Sequence, residues 1–254
     1  MGAMEKWNNG DTSLTPERRL MNEALARIGR IDVIETRGAA RRAGRLMFAV
    51  DLTSSREATL REARIATAAM FEALKSIEAD RLAVKLVYYR GSRECRSSGW
   101  EKDAGVLRRA MEKLSCKAGY TQIARVLRLA LAEKEPLSGI VFVGDHCEED
   151  GWELDELAAA LGEKHIPVFV FHECADDNTL WQQAQPIFRG MANASGGAYC
   201  PFGAGSAAAL RELLSTVAAF SAAGIEGVKQ VPQATTPEAC ELQRRLLLAA
   251  PERK

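Results

Sequence analysis

The chain has 254 residues, 47% of them hydrophobic, enough to bury a sizeable core as one large domain or two small ones. Thirty-four basic residues balance thirty-four acidic ones, so no overall field draws the chain to nucleic acid or to a membrane. Six cysteines without a C-x-x-C pair argue against a disulfide framework or a zinc knuckle. With no apolar leader at the start, and with apolar runs at 140–143 and 168–171 too short for a bilayer, a cytoplasmic protein is expected.

Residues 1–43 are expected to form a polar tail and a lead-in helix over 16–29. Thr15 offers its N-cap, Pro16 its first position, and Leu20, Ala24, Leu25 and Ile28 its apolar stripe. Arg37, Arg41, Arg42 and Arg45 form a basic stretch that flanks the first strand; it predicts no nucleic-acid role. The apolar run 46–50 reads as a strand buried on both faces, ending at Asp51. A helix is expected over 55–78, a second strand over 82–89, and a short edge strand over 94–97 after the Gly91 turn. Further helices are expected at about 102–114, 122–134, 153–163 and 206–220, and strands at 139–144, 166–171 and 197–202. A linker over 228–237 leads to a short helix, 238–249, that docks back on the domain. Strands separated by helices predict an α/β fold: a doubly wound, mostly parallel, Rossmann-like sheet with helices on both faces and flanking terminal helices. The regions are then 1–43 (tail and lead-in helix), 44–222 (the domain) and 223–254 (linker and C-terminal helix).

In an open parallel sheet, ligands bind beyond the carboxyl ends of the strands, where connections diverge to opposite faces. Asp51 ends one buried strand and Asp145 follows another. Thr53 and Ser55 complete D-x-T-x-S after Asp51, and Thr121 lies in the loop before a helix. Carboxylates and hydroxyls are hard oxygen donors, so Asp51, Thr53, Ser55, Thr121 and Asp145 suit Mg²⁺ or Mn²⁺, with Ca²⁺ a further candidate. Two aspartates balance a dication and leave room for an incoming carboxylate. The competing reading is capping of the helix after Asp51. It accounts for Ser54 or Ser55 but not for acids on two separate strands. A metal-free version of the same site is a third reading.

At these residues the sequence resembles the von Willebrand factor A (VWA) domain with its metal-ion-dependent adhesion site. That family's pattern is D-x-S-x-S, a Thr in a middle loop and an Asp after a later strand. Asp51, Ser55, Thr121 and Asp145 match it, and Thr53 replaces the first Ser while keeping the hydroxyl. The resemblance covers about residues 44–220, including Gly119-Tyr120-Thr121 and Gly196-Gly197-Ala198-Tyr199. It implies hydroxyls bound directly to the metal, aspartates acting through water, and a Glu or Asp side chain of a partner protein in the open position. Intracellular bacterial members often serve AAA+ ATPases or stress-response assemblies. The chain departs from the pattern at two points: His146 follows Asp145 where Gly is usual, and Gly119-Tyr120 stands where Gly-Gly is usual.

His146 and Cys147 are expected to line the cup, Glu148, Glu149 and Asp150 to form a solvated acidic loop, and His165 and His172 to be structural. Trp152 and Trp181 are candidate rim contacts. No G-x-S-x-G elbow, phosphate loop or G-x-G-x-x-G is present, and a haloacid dehalogenase-type phosphatase would need an acid where Thr53 stands. A non-catalytic, cation-dependent protein-binding module is therefore expected. The alternatives are a metal-dependent hydrolase of a phosphorylated substrate and a metal-free scaffold that uses its terminal helices.

Overall fold

Six strands, β1 (Gly44–Asp51), β2 (Leu82–Arg90), β3 (Glu94–Glu101), β4 (Gly139–Gly144), β5 (Val168–Cys174) and β6 (Tyr199–Gly203), form one sheet ordered β3-β2-β1-β4-β5-β6. This computed structural model describes residues 44–57, 60, 61, 64, 82–174, 179–203 and 206–248. The lead-in helix expected over 16–29 and most of the helix expected over 55–78 lie outside the described residues. All neighbouring strands are parallel except β2 and β3.

Six helices follow in chain order: α1 (Ala104–Glu112), α2 (Ile123–Leu131), α3 (Gly151–Glu163), α4 (Thr179–Ala194), α5 (Ala207–Gln230) and α6 (Pro237–Leu248). Side chains along β1 alternate between two cores. Leu46, Phe48 and Val50 pack with residues of α1, α5 and α6, whereas Met47 and Ala49 pack with residues of α2, α3 and α4. Burial on both faces is why the inner strands read as unbroken apolar runs. After β1 the chain passes to the face where Leu60 is buried, and after the neighbouring β4 it passes through α3 on the other face, so a crevice opens at the carboxyl ends of these two strands.

The structure corrects several expected boundaries. β3 runs eight residues, not four, and pairs along β2 with a register shift between Lys85 and Val87. β5 continues beyond residue 171 through His172 and Glu173, both buried. Helix α4 was not anticipated. Pro186 lies inside it and costs a backbone hydrogen bond, but the helix buries Ala184, Phe188, Met191 and Ala192, which compensates. Arg45, part of the basic stretch, stacks on Trp100 at 4.1 Å and pairs with Glu133 at 3.2 Å, so it is held at the amino end of the central strand β1.

Helix α5 extends to Gln230 through a kink at Ala223 and Gly224 (φ 62°), which shortens the expected linker. It is long and apolar enough to cross a membrane by length and composition, and half of its apolar window is buried within the domain. Helix α6 docks on α5 and β6, burying Ala239, Leu242 and Leu246. Glu212 fastens the turn before α6 by accepting from Thr235 N–H (3.0 Å), Thr236 N–H (2.8 Å) and both hydroxyls. Partial burial raises the pKa of its carboxyl, but these hydrogen bonds hold it down to about 2.

Candidate metal centre

β1 delivers Asp51 to the crevice fully buried. Its Oδ1 accepts from the Thr53 N–H at 2.7 Å, and its Oδ2 from the hydroxyl of Tyr89 on β2 at 2.9 Å. The chain then turns through a short 3-10 segment, Ser54–Arg56, which brings Thr53 Oγ1 within 3.1 Å of Ser55 Oγ. Thr53 occupies the capping position of that turn yet makes no side-chain capping bond. Burial and then the charge of Asp145 raise the Asp51 pKa to about 6, against the hydrogen bonds from Thr53 and Tyr89.

Asp145 follows β4 and meets the first group by charge: it raises the Asp51 pKa, and Ser55 and Arg56 help to keep its own carboxyl ionised. His146 places Nδ1 2.7 Å from Asp145 Oδ2, so it is a direct partner of the carboxylate and not just part of the lining. The other oxygen, Oδ1, is buried with no hydrogen-bond partner. Burial pushes the Asp145 pKa up, but the His146 contact, the Arg56 charge and the Ser55 bond outweigh it, leaving the group below its ordinary value. His172, buried on β5, puts Nε2 3.1 Å from the Asp145 carbonyl oxygen and Nδ1 2.9 Å from the Tyr199 hydroxyl. These partners fit a neutral ring that donates from Nε2 and accepts at Nδ1.

Burial lowers the His172 pKa from 6.5 to about 4. The folded form therefore binds fewer protons in that interval, so the stability this group contributes is full above pH 6.5 and lost as pH falls toward 4. Asp51 has the opposite sign: its raised pKa favours the fold below 3.8, and that contribution is lost as pH rises through about 6. The two effects oppose each other in the wild type. The Tm gap between wild type and His172→Asn is expected to be widest near pH 7 and to narrow toward pH 4; a constant gap in a thermal melt series would refute the assignment.

Thr121 and Glu148 are joined twice. The Thr121 N–H donates to Glu148 Oε2 at 2.8 Å, and the Glu148 N–H donates to Thr121 Oγ1 at 3.1 Å. Glu149 accepts from the Ile123 and Ala124 N–H groups, capping α2 where Gln122 supplies no side-chain cap. Asp150 caps α3 through the Trp152 N–H at 2.9 Å. The acidic run thus engages backbone donors, while Glu148 and Asp150 stay exposed as expected of a solvated loop. Beneath Thr121, Gly119 backs directly onto Gly91: a Cβ there would lie 2.1 Å from the Gly91 carbonyl carbon.

Asp51, Thr53, Ser55 and Asp145 are thus linked by hydrogen bonds and by charge, and Thr121 joins them through the loop that begins at Asp145. Sequence reasoning missed Arg56, which is 2% exposed and ion-paired with the buried Glu173. Its guanidinium also feels the charges of Asp145 and Asp51. Tyr89 was missed as well.

No family model and no curated protein matches this sequence. Among solved structures, the pilus adhesin SpaC from Lactobacillus rhamnosus GG matches with a TM-score of 0.58 at 10% identity, covering 72% of this chain and 31% of SpaC. The chain thus spans about a third of that adhesin. The SpRpn10 VWA domain matches with a TM-score of 0.51 at 14% identity, covering 70% of this chain and 94% of that domain. The fold is VWA-like. An aerotolerance-related membrane protein from Bacteroides fragilis NCTC 9343 gives 0.50 at 18% identity, covering 63% and 92%.

In this VWA-like sheet the donor set at the crevice fits a hard dication better than a soft one. Among the described residues no three or more His, Cys, Asp or Glu side chains are grouped to hold a metal, so a cation here would draw on hydroxyl oxygens as well as carboxylates. Cys147 lies beside the site, but burial pushes its thiol to about 12, and His146 is committed to Asp145. Two carboxylates and three hydroxyls remain. The buried, unpartnered Oδ1 of Asp145 is the kind of atom that a bound cation satisfies.

Proposed function

We propose that this VWA-like domain is a divalent-cation-dependent protein-binding module. Asp51, Thr53, Ser55, Thr121 and Asp145 hold Mg²⁺ or Mn²⁺, and a Glu or Asp side chain of a partner completes the coordination. The observation that carries this reading is Asp145 Oδ1, a buried acceptor without a donor, beside paired hydroxyls at the crevice. Binding is favoured over turnover because both oxygens of Asp51 are engaged, by Thr53 and by Tyr89, so it is not placed as a nucleophile.

An acidic partner also suits the surface beside the crevice. A groove of about 510 Å³ at the β2–β3 turn is lined by Arg90, Arg93, Arg96 and Lys117 against a single acid, Glu94. It adjoins the cup, since the Gly91 N–H donates to Lys117 O at 3.2 Å and Gln122 Nε2 donates to Gly91 O at 3.1 Å. One carboxylate of an acidic segment would reach the cation while its neighbours meet the groove. Tyr120, 67% exposed on the loop before α2, and Trp152, 75% exposed in the first turn of α3, add rigid aromatic contact area. The resemblance extends the proposal to a cytoplasmic bacterial setting with an AAA+ ATPase or a stress-response assembly as the partner.

Calorimetry and thermal melts with Mg²⁺ and Mn²⁺ test the site. At a hundredfold excess over Kd, the wild type is expected to gain about 2.7 kcal/mol, and Asp51→Ala and Asp145→Ala to gain nothing. Arg93→Glu/Lys117→Glu should weaken capture of a Glu/Asp-rich peptide and leave cation affinity unchanged. An equal thermal shift in the wild type and Asp51→Ala would overturn the proposal.

A further inference from the structure

We propose that the buried Arg56–Glu173 pair sets the charge of the cation site, so that a dication meets a net charge of −2 and not −1. This inference rests on the cation-binding reading above.

Arg56 directly follows Ser55, and its guanidinium lies at the foot of the cup, 2% exposed. Burial lowers its pKa, while the charges of Asp145 and then Asp51 work against that and favour its charged form. Alone, it would cancel one of the two aspartates and repel an incoming cation. Glu173 removes that conflict. It is buried on β5 immediately after His172, the residue that holds the Asp145 carbonyl, and it pairs with Arg56. One strand thus fixes the position of one ligand and neutralises the buried guanidinium.

Among the ionised groups Asp51, Asp145, Glu173 and Arg56, three negative charges meet one positive. The remainder matches a divalent ion. Cys116 and Tyr89, which also face Arg56, are neutral at working pH because burial raises both. His146, beside Asp145, adds a positive charge when protonated, and its protonated share shifts with the charges removed, so the series is compared at a pH where the ring is neutral in every variant.

The test is calorimetry with Mn²⁺ and with Tb³⁺ on the wild type, Glu173→Gln, Arg56→Met and Arg56→Met/Glu173→Gln, with folding checked by circular dichroism. Glu173→Gln leaves a net −1 and is expected to weaken Mn²⁺ binding on the order of tenfold. Arg56→Met leaves −3 and should strengthen Mn²⁺ binding to a similar degree, with a larger gain for Tb³⁺. The double variant restores −2 and should return close to wild-type affinity and selectivity. If Glu173→Gln does not fold, the sign of the Arg56→Met change and the return of the double variant decide the matter. Two single variants that both weaken Mn²⁺, or a double variant no nearer the wild type than either single, would reduce the pair to a packing element and overturn the inference. If the wild type binds no Mn²⁺ but Arg56→Met does, the charge-setting role stands while native cation binding falls; if no variant binds, both fall.

Discussion

Phe142→Ala is expected to cost about 3–5 kcal/mol of unfolding free energy and also to weaken cation binding at a site that Phe142 does not form. Phe142 is 1% exposed on β4. Its ring stacks beside Tyr89, with centroids 6.4 Å apart, and meets Phe188 edge-on at 5.5 Å. Phe188 in turn meets His172 edge-on at 4.7 Å. Tyr89 and His172 are the groups that hold the Asp51 carboxylate and the Asp145 carbonyl. A row of rings therefore runs beneath the crevice and ties together the supports of its two acids. A cavity in the middle of that row frees both supports, because interiors relax only partly around missing volume. Denaturant unfolding and Mn²⁺ calorimetry on the same sample check this. If stability falls while cation affinity holds, the two acids are positioned independently of the ring row.

Gly119→Ala should cost about 1–3 kcal/mol and disturb Thr121, two residues on. The new Cβ would lie 2.1 Å from the Gly91 carbonyl carbon and 2.2 Å from its oxygen. Both are backbone atoms, so no rotamer change relieves the clash and one of the two loops has to move. Gly91→Ala is a useful contrast. Its nearest new contact is the flexible Lys117 side chain at 3.2 Å, and its strain comes from φ +60, worth about 1–2 kcal/mol. Gly119→Ala is therefore the variant expected to lower cation affinity, and Gly91→Ala the one expected to lower stability alone. Equal affinity in both proteins would show that Thr121 does not depend on this close approach.

Much of the sheet was legible because strands buried on both faces are unmistakable in sequence. The run 139–144 matches β4 to the residue, and 46–50 lies wholly within β1. Legibility failed where burial involved polar residues. β5 was expected to end at Phe171 because the apolar run stops there, yet His172 and Glu173 continue it, buried by partners that come from Asp145, Tyr199 and Arg56. Helix α4 was lost behind Pro186 and a run of Gln residues, although its apolar face at Ala184, Phe188 and Met191 was there to be counted. At the site, the oxygen donors followed a spacing that can be read locally. Their supports did not, because Tyr89, His172 and Glu173 reach the crevice from other strands and no periodicity marks them. Arg56 was the hardest case: arginine is rarely buried without a partner, and its partner lies on β5, 117 residues further along the chain.

The double tie between Thr121 and Glu148, continued by the grip of Glu149 on the start of α2, has a mechanical consequence. The two lips of the crevice form one stiff unit, because neither backbone can shift without tearing charged contacts out of the other. A molecule that leans on Tyr120 is thereby felt at residues 145–149, and whatever tightens Asp145 draws the opposite lip with it.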